Sequence, residues 1–329
     1  MNLKFFEHSP YTELLSTYTK IFNPGLIFFG HGVTQQIKDP VVQRVQLKYN
    51  DFVRAIEFME KLTYRFISME QFQEIAKSKT KVNYPWVHLT FDDGYKNNLT
   101  EIYPYLKQKN IPFTLFASMH HIINNKRFDT DRIAIAIKHT INEGSLLKLT
   151  NSLNITGISV ERSKLIDLVI KKYKYQPVEQ KIPFLEEICE LLDEKEWDTY
   201  NNLYDSEAVL TVEELKLLNS DPLVHIGSHG CNHYIQSTLT EKERMFELEH
   251  SKELLKQILG NDTSTFCYPN GGEKDFSGET SASCVKANYS HCFTTIPRAW
   301  KPNRNNMEIP RFAFTYSYLP QALIKAPFK

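Results

Sequence analysis

The chain has 329 residues, 41% of them hydrophobic and 24% charged, enough for one large α/β domain or two smaller ones. Lys+Arg and Asp+Glu each number 39, so no overall field draws the protein to nucleic acid or to an anionic membrane surface. No stretch approaches the ~20 apolar residues of a membrane span, and Met1–Pro10 lacks the apolar core of a secretory signal. Five cysteines, at 189, 231, 267, 284 and 292, show no paired spacing and read as reduced thiols of a cytoplasmic protein. Aromatic residues make up 12%, which serves packing first and sugar-stacking surfaces second.

Leu26–Phe29 reads as a buried strand closed by Gly30-His31-Gly32. Pro40 to Leu62 reads as a helix with irregular apolar spacing, and Ser68 as the cap of another. Trp86–Phe91 is the next buried strand, ending at Asp92-Asp93-Gly94. Helical periodicity runs from Leu99 to Lys109, with Pro104 near its first turns, and Pro112–Ala117 is a third strand. Continuous apolar strands in strand, helix, strand order predict parallel βα units. Residues 124–210 are almost continuously helical and read as an insertion within a single domain spanning residues 1–329. The βα rhythm resumes at Leu223–Gly227. A helix follows over Glu241–Leu259, with Thr240 and Glu243 as a capping box and Gly260 as its stop. Thr265–Pro269, His291–Thr295 and Ile309–Phe312 are the later strands.

Two blocks carry chemistry. Thr90-Phe91-Asp92-Asp93-Gly94 sets adjacent carboxylates at a strand end, where parallel sheets and barrels build their sites. Neighbours within a strand point to opposite faces, so both carboxylates reach one pocket only if the chain already turns there. Ser228-His229-Gly230-Cys231-Asn232-His233 places two imidazoles on one side of a helical turn. One carboxylate with two imidazoles suits a divalent metal with open positions, and the other carboxylate, Asp92 or Asp93, is left as a base. That inventory fits metal-assisted hydrolysis. Taken singly, each block reads as turn or surface residues, and Cys231 reads as pointing away from any metal. The charged residues of the insertion, among them Asp129, Asp131 and Arg132, read as a solvated helix face. The insertion itself reads as a lid or substrate wall, a contact between copies, or a packing elaboration.

Joined in order by Phe266-Cys267-Tyr268-Pro269-Asn270-Gly271, these blocks resemble the polysaccharide deacetylases of the NodB-homology type, carbohydrate esterase family four. The resemblance spans 26–119 and 223–313, with Ile111–Phe116 and Phe293-Thr294-Thr295 as supporting matches. It implies a deformed (β/α) barrel, here with a large helical insertion, and one divalent metal, zinc or else cobalt or manganese. It further implies removal of an N-acetyl group from an amino sugar, and the lack of a secretion signal favours a place in surface-polysaccharide or glycoconjugate metabolism. Carried onto this chain, it makes Asp92 the general base and Asp93, His229 and His233 the metal ligands. Tyr268, Pro269 and Asn270 become the substrate and oxyanion loop.

The chain departs from the family pattern in three places. Cys267 stands where many members carry an Arg that orients the base, and Asn270 stands where they carry an aromatic. No Leu-x-Leu-x-His block follows Arg311 to supply the proton for the leaving amine. Arg311 is the expected substitute for the missing Arg, and His31, at the end of the first strand, for the missing acid. The expected partner is an N-acetylated carbohydrate. A catalytically impaired carbohydrate-binding protein on the same barrel, and a deformylase or amidase of a related small molecule, are the alternatives.

Overall fold

The computed structural model describes residues 11–22, 25–78, 82–153, 161–260, 262–302 and 305–315. Residues 1–10, the stretch without a signal's apolar core, lie outside them. The strands are β1 (Gly25–Gly30), β2 (Gly32–Thr34), β3 (Gln46–Lys48), β4 (Arg65–Phe66), β5 (Trp86–Phe91), β6 (Phe113–Ala117), β7 (Val224–Ser228), β8 (Thr265–Cys267), β9 (His291–Phe293) and β10 (Phe312–Ala313). Eight of them form one sheet in the order β10-β1-β5-β6-β7-β8-β9, with β4 added against the start of β5. Every pairing in it is parallel, and the sheet curls into a deformed (β/α) barrel. Strands β2 and β3 pair only with each other.

Both faces of β5 are covered, as an unbroken apolar strand requires. Val87, Leu89 and Phe91 pack outward with Phe52 and Ile56 of α2 (Tyr49–Lys61), the helix after α1 (Tyr11–Phe22). Trp86 faces inward with Ile27, Phe116, Cys267, Phe293 and Ile309, and Phe72 of α3 (Met69–Ser78) plugs this interior. His88, also inward, bonds the Ile67 carbonyl through Nδ1 and the Thr114 hydroxyl through Nε2. Burial pushes it down to about 4, so it is a neutral core histidine. Beyond β9 a single parallel bridge joins Phe293 to Ile309, after which the chain crosses to pair β10 with β1. That crossing segment carries Arg311.

Three local readings change. Helix α2 begins at Tyr49, not near Pro40, because the Asp39 carboxylate accepts from the Val41 and Val42 N–H groups and folds the stretch into turns. The helix expected over Leu99–Lys109 is a π-turn, Asn98–Ile102, leading into α4 (Tyr103–Gln108), with Pro104 at the junction. Between β6 and β7 the described residues fold as α5 (Met119–Ile123), α6 (Asp129–His139), α7 (Glu143–Ser152), α8 (Arg162–Tyr175), α9 (Val178–Cys189), α10 (Glu194–Leu203) and α11 (Val212–Asn219). Helices α6 to α10 have a core of their own, including Ile133, Ile137, Leu165, Val169 and Ile188. Their charged face is not wholly solvated: Asp131 is buried, and Asp129 accepts from the Tyr173 hydroxyl. Helices α12 (Glu241–Leu259) and α13 (Gly278–Lys286) complete the outer layer, α12 with the capping box and the left-handed Gly260 read from its sequence. Among the described residues no helix is long and apolar enough to cross a membrane.

Candidate active site

At the C-terminal end of β5 the backbone turns inside the acidic pair itself. Asp93 has φ 79° and Gly94 φ 95°, so the alternation that would separate the two side chains ends at Asp92. Ser118 N–H donates to the Asp93 carbonyl and Gly94 N–H to the Asp92 carbonyl, which fixes the turn. At the end of β7, Gly230 and His233 also take positive φ, 81° and 57°, and coil the loop so that both imidazoles face Asp93.

Asp93 Oδ1 lies 3.3 Å from His229 Nε2 and 3.2 Å from His233 Nε2. It is buried yet has no hydrogen-bond partner of acceptable geometry. Three ligand-type atoms that crowd one point without bonding each other are the arrangement a cation completes. Nδ1 of His229 donates to the Cys267 carbonyl at 2.8 Å, which leaves Nε2 as the bare, metal-facing nitrogen. Burial pushes His233 down to about 4, outweighing the Asp93 charge, so it is a neutral imidazole near pH 7. Burial pushes Asp93 up, but the two imidazoles crowded against it outweigh burial and hold its carboxyl well below the ordinary value. The residues therefore fit a divalent metal.

A second cluster, Asp92, His229 and Cys267, does not. Arg311 fills it. Its Nη1 donates to Asp92 Oδ1 at 2.7 Å and to the Thr90 hydroxyl, and its Nη2 donates to Asp92 Oδ2 at 2.8 Å and to Cys267 Sγ at 2.9 Å. Nε donates to the Thr294 carbonyl, and the guanidinium lies over the rings of Phe29 and Phe116. A fixed positive charge occupies this cluster, and burial keeps the Cys267 thiol protonated. Burial also pushes Asp92 up, but the Arg311 charge and its paired hydrogen bonds hold the carboxyl below its ordinary value. The small Cys267 side chain leaves room for a guanidinium arriving from the crossing segment before β10.

These groups line one cavity of about 280 Å3, which takes in His31, Asp92, Asp93, His229, His233 and Asn270. The His31 carbonyl accepts from Asn98 of the π-turn, and its ring packs edge-on to Phe29. Asn270, φ 61°, reaches the cavity, whereas Tyr268 does not. Cys267 points into the barrel, so alternation sends Tyr268 outward, where it stacks on Phe276 and donates to the Met307 carbonyl. Pro269 is not among the lining residues. Cys231 is buried away from the ligands.

Several contributors carry no motif in the sequence. Glu247 of α12 is buried and holds the histidine loop: one oxygen accepts from the Cys231 and Asn232 N–H groups, the other from the Asn232 amide. Asp131, Ile170 and Lys174 of the inserted helices form part of the cavity wall. A helix periodicity announces such residues as helical without saying which face docks on a barrel.

The structure of a deacetylase, PplD, from Streptococcus pyogenes, in complex with acetate, is 15% identical, aligns over 92% of this chain and 97% of its own, and gives a TM-score of 0.59. IcaB from Ammonifex degensii is 16% identical over 92% and 96% of the two chains, with a TM-score of 0.58. The BpsB deacetylase domain from Bordetella bronchiseptica is 13% identical over 89% and 96%, with a TM-score of 0.53. Identities this low establish a shared fold. No curated protein matches the chain in sequence. The sequence profile of the polysaccharide deacetylases matches residues 79–166 and 181–289, which include Asp92, Asp93, His229, His233 and Asn270, and the chain belongs to that family.

Proposed function

We propose that this protein is a zinc-dependent N-deacetylase acting on an N-acetylated amino sugar of a surface polysaccharide or glycoconjugate, in the cytoplasm. The observation that carries this reading is the unbonded Asp93, His229, His233 cluster sharing one cavity with the Arg311-clamped Asp92. Membership of the family supports an acetylated carbohydrate as substrate.

Asp93, His229 and His233 would hold the zinc, which when bound would supply Lewis acidity to the acyl carbonyl and lower the pKa of water towards neutrality. Asp92 takes the proton from the attacking water. The bidentate Arg311 keeps Asp92 ionised and fixes its plane, so the base is charged before substrate arrives. The oxyanion formed at the acyl carbon receives the backbone N–H of Asn270. Breaking the C–N bond requires a proton on the amine, and His31, on the same cavity wall, supplies it. The products are acetate and the free amino sugar.

The test begins with metal content. Protein purified without chelators should carry close to one divalent ion per chain, lost in His229→Ala and in His233→Ala. Supplied with zinc, the wild type should release acetate from N-acetylated amino sugars, and Asp92→Asn should abolish release while keeping metal. Sugar binding without acetate release would establish the carbohydrate-binding reading instead, and release of formate alone the deformylase reading.

A further inference from the structure

Two consecutive residues at the C-terminal end of the inserted helix α8 hold the loop that follows β8. Lys174 Nζ donates to Asn270 Oδ1 at 2.8 Å, and the Tyr175 hydroxyl donates to Asp275 Oδ1 at 2.7 Å. Asp275 in turn accepts from Gly272 N–H and donates its own N–H to the Gly272 carbonyl. From the barrel side, Thr295 Oγ donates to the Asn270 carbonyl at 2.6 Å, and Thr295 N–H to the Gly271 carbonyl.

The loop needs this bracing. Asn270 and Gly271 both sit at positive φ, 61° and 65°, and a Cβ at Gly271 would meet Thr295 N and the Tyr268 carbonyl at 3.0 Å. Such backbone persists where its surroundings over-determine it. Lys174 is anchored in its turn: buried Lys181 donates to the Tyr173 and Lys174 carbonyls, and its ammonium lies over the ring of Tyr234, the residue after His233. Burial lowers the Lys174 ammonium, against the pull of the Asp93 charge, and it lines the same cavity as the metal cluster.

We propose that Lys174 is a positioning residue: from the insertion it holds the Asn270 side chain, and so fixes the Asn270 backbone N–H where the oxyanion forms. The proposal rests on the deacetylase reading for the oxyanion and on geometry alone for the loop. Asn270 replaces the aromatic of the family pattern, and its side-chain oxygen is the acceptor that a lysine from the insertion requires. The inserted helices are then part of the catalytic apparatus, not an added shell.

Two readouts test this. Hydrogen–deuterium exchange of peptides over residues 268–273 should be at least fivefold faster in Lys174→Met than in wild type, and unchanged in Lys172→Met, an exposed residue of the same helix. That measurement needs no substrate and stands if the wild type proves inactive. In active enzyme, Lys174→Met should lower kcat about tenfold with KM within twofold, metal content unchanged and Lys174→Arg partly restoring it. Lys174→Met/Asn270→Gly should be no slower than Asn270→Gly, whose glycine keeps the positive φ. Unchanged exchange in Lys174→Met, losses that multiply in the double variant, or a rise in KM alone would overturn the proposal.

Discussion

The barrel rim and the inserted helices each bury a pair of acidic side chains, and the two pairs are shifted in opposite directions. At the rim, Asp92 and Asp93 meet a guanidinium and two imidazoles and are held below the usual carboxylate range. In the insertion, Asp131 meets the Tyr95 hydroxyl at 2.9 Å and is raised to about 7, first by burial and then by the charge of Glu207. Glu207 is likewise raised to about 7 by burial, and one of its oxygens has no partner. Arg127 is the nearby cation, but its Nε and Nη2 donate to Asn201 and its buried Nη1 has no partner. Burial is similar in both places; what differs is that Asp92 has a cation in bonding contact and Asp93 has two imidazole nitrogens against it.

The largest effect expected of this difference is at Asp92. Asp92→Asn keeps the shape and removes the base, so acetate release should fall by about 10³-fold or more with metal retained, read by steady-state kinetics beside metal analysis. Next is the donor. His31→Ala should slow turnover about 100-fold with metal content unchanged, read by steady-state kinetics. A variant as fast as wild type would move the donor elsewhere in the cavity.

Breaking the rim pair makes the rim resemble the insertion. Arg311→Met leaves Asp92 buried without its partner, a loss of about 3–5 kcal/mol for groups of this kind. Wild-type Asp92 has a lowered value, so the stability of its pair is present above the unfolded value near 3.9 and lost as pH falls through the folded value. The melting difference between wild type and Arg311→Met should therefore be large at pH 7 and shrink below about pH 4. Turnover should fall as well, with the metal still bound.

How much of this was legible follows the same division. The rim residues lie in short blocks next to Gly94 and Gly230, where sequence neighbours are also neighbours in space. Arg311 was reachable through a vacancy: Cys267 left the base without its arginine. The contributions of Tyr95, Asp131, Lys174 and Glu247 were not legible, because each depends on which face of a helix or turn is docked. Tyr268 shows the converse, a motif residue that alternation turns away from the cavity. Strands β2 to β4 are too short for periodicity to reveal, and the helix boundaries moved where Asp39 and Pro104 redirected the backbone.

The smallest effect sharpens the comparison most, because its sign is opposite to that at the rim. Asp131 keeps its proton to about pH 7 when folded and loses it near 3.9 when unfolded. Between those values the folded state binds more protons, so stability falls as pH rises and then levels off above 7. Asp131→Asn retains an acceptor for the Tyr95 hydroxyl and carries no proton to lose. Its melting temperature should match wild type near pH 4, exceed it by about 2–4 °C at pH 8, and leave metal content unchanged. A variant less stable than wild type at pH 8 would mean that Asp131 is ionised and paired with Arg127, and that the two acidic pairs are built alike. A gain confined to high pH would mean that the insertion carries a buried carboxyl with no counter-charge in contact, which the rim avoids by taking Arg311 from the crossing segment before β10.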